Sequence, residues 1–173
     1  MSSAVVQSDL FRRACALFPT GVAVLTTRGL NDTPHGLTIN AFCSLSLEPP
    51  LVLVAVDRAC SVLETFENSG HFAVNFLSSE QRDLSVRFSE LPEGRFSGVP
   101  WTPGANGAPL IEGAIGSIEC RITQTIDAGD HKALIGEAIT ATVGEGEPLV
   151  FFRSGYAAIV ERRHALPKPP ASP

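Results

Sequence analysis

The sequence predicts a mainly β protein, an antiparallel barrel carrying a few short helices. Three observations carry that prediction. Six or more short runs rich in Val, Ile, Leu and Thr are separated by Gly, Pro, Asn and Asp turn chemistry. Two longer stretches with period-two alternation, Ile118–Ile126 and Ala133–Val143, flank Gly129-Asp130-His131 and read as one extended hairpin. Only three short segments have helical periodicity, and they do not alternate with strands as a doubly wound fold requires.

The first helical segment is Ser8–Phe18, where Leu10, Phe11, Ala14, Leu17 and Phe18 share one face and Ser8 or Asp9 can cap. Pro19-Thr20-Gly21 stops it. Gly21–Arg28 reads as a strand, 29–34 as a turn, and His35–Phe42 as the returning strand. Glu48-Pro49-Pro50 leads rigidly into the buried run Leu51–Val56. Ala59–Asn68 is the second helix, with Val62, Leu63 and Phe66 inward, and His71–Leu77 the next strand. Ser78-x-x-Gln81 fits a capping box and opens the third helix, with Leu84 and Phe88 on one side. Residues 91–109 read as a long loop around Trp101, a length often tied to function.

In the long hairpin, Ile118, Cys120, Ile122 and Ile126 form a dry face against Glu119, Arg121, Thr123 and Thr125 on a wet one. Residues 144–148 turn the chain and 149–160 supply the last extended pieces. The domain is expected over residues 1–161, with a Pro-rich tail at 162–173.

At 173 residues the chain can bury about 68–70% of its unfolded surface, so it needs no disulfide or metal staple. An apolar share of 44% with 18% charged excludes disorder over most of its length. The net charge of −5, without a basic run, disfavours nucleic acid. No stretch has the ~18–20 apolar residues of a membrane span, and the N-terminus lacks a signal-peptide pattern, which predicts a cytoplasmic protein. Cys15, Cys43, Cys60 and Cys120 form no C-x-x-C pair, which argues against a metal site; each lies in an apolar segment and reads as a buried, reduced thiol. Neither a G-x-G-x-x-G turn nor a P-loop is present.

Four constellations could carry chemistry. Residues 36–46, with Thr38, Asn40, Ala41, Phe42 and Ser44, put small and hydroxylated side chains in an apolar strand, a wall for a flat heteroaromatic ligand or an ordinary strand end. Asp57, Arg58 and Ser61 lie where a strand gives way to a helix, as an anion site or a plain helix cap would. Gly129-Asp130-His131 is a polar interruption between strands, functional or simply a surface turn. The segment 151–156 contains the single tyrosine, Tyr156, beside phenylalanines that suit barrel packing.

Taken in order, these pieces resemble the flavin reductase family of the FMN-binding split-barrel superfamily. The matching residues are Phe18-Pro19-Thr20-Gly21-Val22-Ala23-Val24-Leu25-Thr26-Thr27, Gly36-Leu37-Thr38-Ile39-Asn40-Ala41-Phe42, Ser44-Leu45-Ser46 and Pro49-Pro50-Leu51-Val52. Phe72-Ala73-Val74-Asn75-Phe76-Leu77, Gly129-Asp130-His131 and Gly155-Tyr156 complete the set, which covers about residues 8–160.

The resemblance implies an antiparallel split β-barrel of Greek-key type and a homodimer binding FMN or FAD near its interface. It implies reduction of that flavin by NADH, or NADPH, and delivery of reduced flavin to a separate monooxygenase. By the same match Thr38, Asn40, Ala41, Phe42 and Ser44 line the isoalloxazine, with Thr20 and Gly21 along the cleft. Asp57, Arg58 and Ser61 serve the flavin phosphate. Gly129, Asp130 and His131 place the nicotinamide, with Tyr156 nearby. The chain departs from the family's pattern at Ala41, where Ser is frequent, and near Phe151, where Tyr is frequent. Hydride transfer from nicotinamide C4 to flavin N5 asks the protein mainly for proximity and orientation.

Two other readings compete with that enzyme: a flavin-binding or electron-carrier protein on the same barrel, and a partner-binding barrel without cofactor. The dinucleotide motif at 129–131 favours the enzyme.

Overall fold

The structure, a computed structural model, describes residues 6–160; the tail expected at 162–173 lies outside the described residues. Ser8–Cys15 forms helix α1, followed by β1 (Thr20–Gly21) and β2 (Ala23–Arg28). Next come β3 (Pro34–Ile39), β4 (Phe42–Leu47), β5 (Pro50–Asp57), α2 (Leu63–Ser69), β6 (His71–Phe76) and α3 (Arg82–Glu90). β7 (Trp101–Pro103) and β8 (Pro109–Ile111) precede the long pair β9 (Gly116–Ala128) and β10 (His131–Val143). Short strands β11 (Val150–Phe152) and β12 (Gly155–Ala157) follow. Among the described residues no helix is long and apolar enough to cross a membrane.

Seven strands form one antiparallel sheet in the order β3-β2-β6-β9-β10-β5-β4. The expectation of an antiparallel β architecture holds, but among the described residues hydrogen bonds do not close the sheet into a barrel. The reason lies at Asn40 and Ala41. They interrupt what reads in sequence as one strand, and β4 then pairs with β5 instead of β3. Two residues therefore carry the chain from one sheet edge to the other. At about 3.3–3.6 Å per residue, the edges must approach each other at this corner.

β2 is buried on both faces, which explains its continuous apolar run. Leu25 faces a core of Val54, Phe66, Phe72, Val74 and Leu134, while Val22 and Val24 face Leu77, Phe88, Ile111 and Leu149. β5 alternates instead, burying Val52, Val54 and Val56 only. Gly136 on β10 is a packing requirement: a Cβ there would lie 2.5 Å from Phe72 Cζ and 2.7 Å from Cys120 Cβ.

Several expectations change. The first helix ends at Cys15 instead of Phe18, and its apolar face is bare in the single chain, with Leu10 at 58% and Phe11 at 59% exposure. Cys15 and Cys43 are exposed; among the four thiols only Cys120 is fully buried. Part of the loop 91–109 is ordered as β7, which pairs with β8. That segment also covers the face of β9 expected to be wet. Glu119 is buried beneath it, its Oε2 accepting from Asn106 N at 2.8 Å. Beyond Ile122 β9 leaves the core, although Ala133 and Leu134 on β10 stay buried, so Ile126 is exposed despite its dry register. The capping box is formed as expected, with Ser78 N donating to Gln81 Oε1 at 3.1 Å ahead of α3.

Candidate active site

Asn40 and Ala41 sit at the corner where β3 ends and β4 begins. The Ala41 carbonyl accepts from Ala55 N at 3.1 Å, which fixes the crossing against β5. Three cavities meet at Asn40. One, of about 210 Å³, is walled by Thr20, Gly21, Ala23, Phe42 and Phe76. A second, of about 420 Å³, lies under α1 between Arg12, Thr20, Ala41, Phe152 and Arg153. The third, of about 210 Å³, is bounded by Thr38, Ser85, Ser89, Phe151 and Tyr156.

Polar groups around this corner differ in what they have left to offer. Thr20 Oγ1 is buried and has no hydrogen-bond partner among the described residues. A Cβ on Gly21 would meet nothing within 4 Å, so open space lies beside it. Thr38 Oγ1 donates to the Ser85 carbonyl at 2.7 Å, and Ser85 Oγ pairs with Tyr156 Oη at 2.9 Å. Ser85 is itself 1% exposed. Sequence reasoning missed this residue; a serine three positions before Phe88, on the same helical face, was the available signal. It also missed Arg12 and Arg153, whose positions under α1 depend on how the β11–β12 turn folds back. That turn is held by Arg153 N donating to the Ala16 carbonyl at 2.9 Å.

A second group forms at the far end of β5. β9 and β10 are joined by Gly129 and Asp130, with Gly129 at φ +65°, the left-handed region that a tight hairpin turn demands. His131 is the ladder partner of Asp57, and Arg58 N donates to the Asp130 carbonyl at 2.9 Å. The sequence's two polar constellations are therefore one corner. His131 Nδ1 lies 2.7 Å from Asp130 Oδ1, so its N–H donates to the carboxylate and Nε2 is left for a ligand. That hydrogen bond, and then the charge of His131, hold the Asp130 carboxyl below the usual aspartate value. Arg58 Nη1 pairs with Asp127 Oδ1 at 3.2 Å, and Asp57 Oδ1 accepts from Ala59 N at 2.8 Å as a local cap.

The two groups are neighbours along β5, since Asp57 stands two residues, about 7 Å, beyond the Ala55 that bonds Ala41. Tyr156, expected near the nicotinamide, shares a cavity wall with Thr38 and Asn40. Ser61 lines two other cavities beside α2. Ser44 is exposed on β4 and lines none of the three cavities at Asn40.

A family model for the flavin reductase like domain matches residues 14–160. The chain belongs to the flavin reductase family. It is 39% identical over 162 residues to the flavin reductase (NADH) of Kitasatospora aureofaciens, covering 91% of this chain and 84% of that protein. It is 36% identical over 160 residues to the reductase subunit of a flavin-dependent monooxygenase of Mycobacterium tuberculosis, covering 91% and 85%. Among solved structures, the Streptomyces globisporus NADH:FAD oxidoreductase in complex with NAD and FAD fragments superposes with a TM-score of 0.84. It has 34% identity and covers 91% of this chain and 98% of that one.

The Asn40 corner fits the flavin that a flavin reductase requires. A planar heteroaromatic ring with polar edges needs small wall residues and unused hydrogen-bonding groups. Gly21 and Ala41 supply the first, and the orphaned Thr20 hydroxyl is one of the second.

Proposed function

We propose that this flavin reductase is an NAD(P)H:flavin oxidoreductase that reduces FMN or FAD and delivers the reduced flavin to a separate monooxygenase. The observation that carries the reading is the convergence of three cavities on Asn40, with the buried, unpartnered Thr20 hydroxyl in the wall of two of them. Bound flavin supplies a ring that accepts hydride; the chain supplies position.

Thr20 and Asn40 orient the ring through its polar edges, and Ala41 leaves room for its plane. Thr38 and Tyr156 are held in place through Ser85. Arg58 meets the flavin phosphate as a charge-assisted donor. His131, its Nδ1 proton engaged by Asp130, turns Nε2 toward the dinucleotide and sets the nicotinamide against the flavin. Proximity and orientation of this kind can supply roughly 7–11 kcal/mol of a barrier.

The bare face of α1 and exposed Leu47, at 85%, support a homodimer whose interface covers them. The approach of the two sheet edges at Asn40–Ala41 supports the split-barrel description. We read residues 1–161 as one domain and the protein as cytoplasmic. The test is stopped-flow NADH oxidation with FMN and FAD in turn, followed by loss of the NADH absorbance band. Flavin binding without any NADH or NADPH oxidation would favour a carrier and defeat the enzyme.

A further inference from the structure

Of two cavities that have no part in this scheme, one has unpartnered buried polar atoms in its wall. It measures about 450 Å³ and opens between α2 and the ends of β2 and β6, with Arg28, Ser61, Glu64, Thr65, Asn68 and His71 in its wall. Among the described residues, the buried side-chain atoms without a hydrogen-bond partner include Arg28 Nε and His71 Nε2, and both residues belong to this wall. Arg28 is the last residue of β2 and His71 the first of β6, strands whose antiparallel register sets these two ends side by side.

The two orphaned atoms have opposite chemistry. His71 Nδ1 lies 2.8 Å from the Ser69 carbonyl, an oxygen that only accepts, so Nδ1 carries the proton and Nε2 of the neutral ring offers a lone pair. Arg28 Nε is an N–H donor at any accessible pH. A buried donor and a buried acceptor left unmade each carry a desolvation penalty, which a ligand edge with one donor and one acceptor removes. Adenine has such an edge: its exocyclic amine donates and an adjacent ring nitrogen accepts. Glu64 in the same wall disfavours phosphate in the cavity itself.

Ser61 indicates how such a group arrives. The family resemblance implies that it meets the flavin phosphate beside Arg58, and it also stands in this cavity's wall. FMN ends at that phosphate, whereas FAD continues through a second phosphate to adenosine. We propose that the Arg28–His71 cavity binds the adenine end of FAD and makes FAD the preferred flavin. The inference rests on the flavin reading above.

The test is equilibrium titration of the full chain with FAD, FMN, NADH and AMP. FAD should bind roughly tenfold or more tighter than FMN. His71→Phe and Arg28→Met should each weaken FAD by roughly tenfold and leave FMN unchanged. AMP alone should perturb the emission of Trp101, the single tryptophan, whose ring centre lies 5.4 Å from the Arg28 guanidinium carbon. His71→Phe should weaken that response. Equal affinity for FAD and FMN in the unmodified protein overturns the proposal and leaves the flavin reading standing. Variants that weaken both flavins equally, or that weaken only NADH, overturn it as well. If neither flavin binds the unmodified protein, the flavin reading itself fails.

Discussion

The backbone N–H of Arg58 donates to the Asp130 carbonyl at 2.9 Å, tying the end of β5 to the β9–β10 turn. Asp57 and His131 become ladder partners in consequence. An arginine suited to phosphate and a histidine suited to a dinucleotide thus share a corner, each with a carboxylate already on it. His131→Ala should slow flavin reduction by NADH or raise its KM, on the order of a hundredfold for a positioning error near 1 Å. Flavin affinity should be nearly unchanged, and dithionite should reduce the bound flavin normally. A variant that loses flavin but keeps its reduction rate would place His131 in the flavin site instead.

Arg58→Ala should weaken flavin binding by roughly 1.5–3 kcal/mol, the range for a hydrogen bond to a charged group. Asp127→Asn should act in the opposite direction, because it releases the guanidinium from its present partner at 3.2 Å. Both side chains are half-exposed or more, so that gain should stay below about 1 kcal/mol. Fluorescence titration of the two variants at low and high salt checks the pair of signs.

Thr20→Val separates function from stability. The hydroxyl it removes has no partner among the described residues, so the urea midpoint should hold or rise slightly. Flavin affinity should nevertheless fall, by roughly tenfold if one hydrogen bond is lost. A large loss of stability would show that Thr20 is engaged within the fold.

Gly136→Ala should destabilise by about 1–3 kcal/mol. The new methyl would press on the Phe72 ring and the Cys120 Cβ, both fully buried and without space to move. Urea unfolding with an unchanged slope and a lowered midpoint is the expected record.

Cys120 gives a prediction with pH. Burial, and then the nearby Glu119 charge, push its thiol from 9.0 up to about 12. Its folded value lies above its unfolded one, so the stability this difference contributes is complete below 9.0 and lost as pH rises toward about 12. A thiol reagent should label exposed Cys15 and Cys43 rapidly and reach Cys120 only on unfolding. Equal labelling rates for Cys15 and Cys120 would contradict the burial.

The strands that carry the site were legible because their side chains repeat with the period of their backbone. Val52, Val54 and Val56 alternate on β5 as a half-buried strand should, and the capping box at Ser78–Gln81 is chemistry local to four residues. Ser85 was hidden because its partners, Thr38 and Tyr156, come from remote strands. Glu119 read as solvent-facing because alternation reports which face a residue takes and not what later segment covers that face.

By itself the sequence determined what neighbouring residues settle among themselves: a mostly β chain, its turns, the polar break at 129–131, and a resemblance distributed along nearly its whole length. The tertiary structure decided which breaks meet. Asn40 and Ala41 carry the chain between opposite sheet edges, and β5 pairs with β10, so the Asn40 corner and the His131 corner fall along one strand. Strand pairing depends on hydrogen bonds between distant residues, and the one-dimensional pattern is compatible with several partners for each strand. Burial follows from that choice, which is why Cys15, Cys43 and the apolar face of the first helix are exposed where local pattern alone reads them as buried.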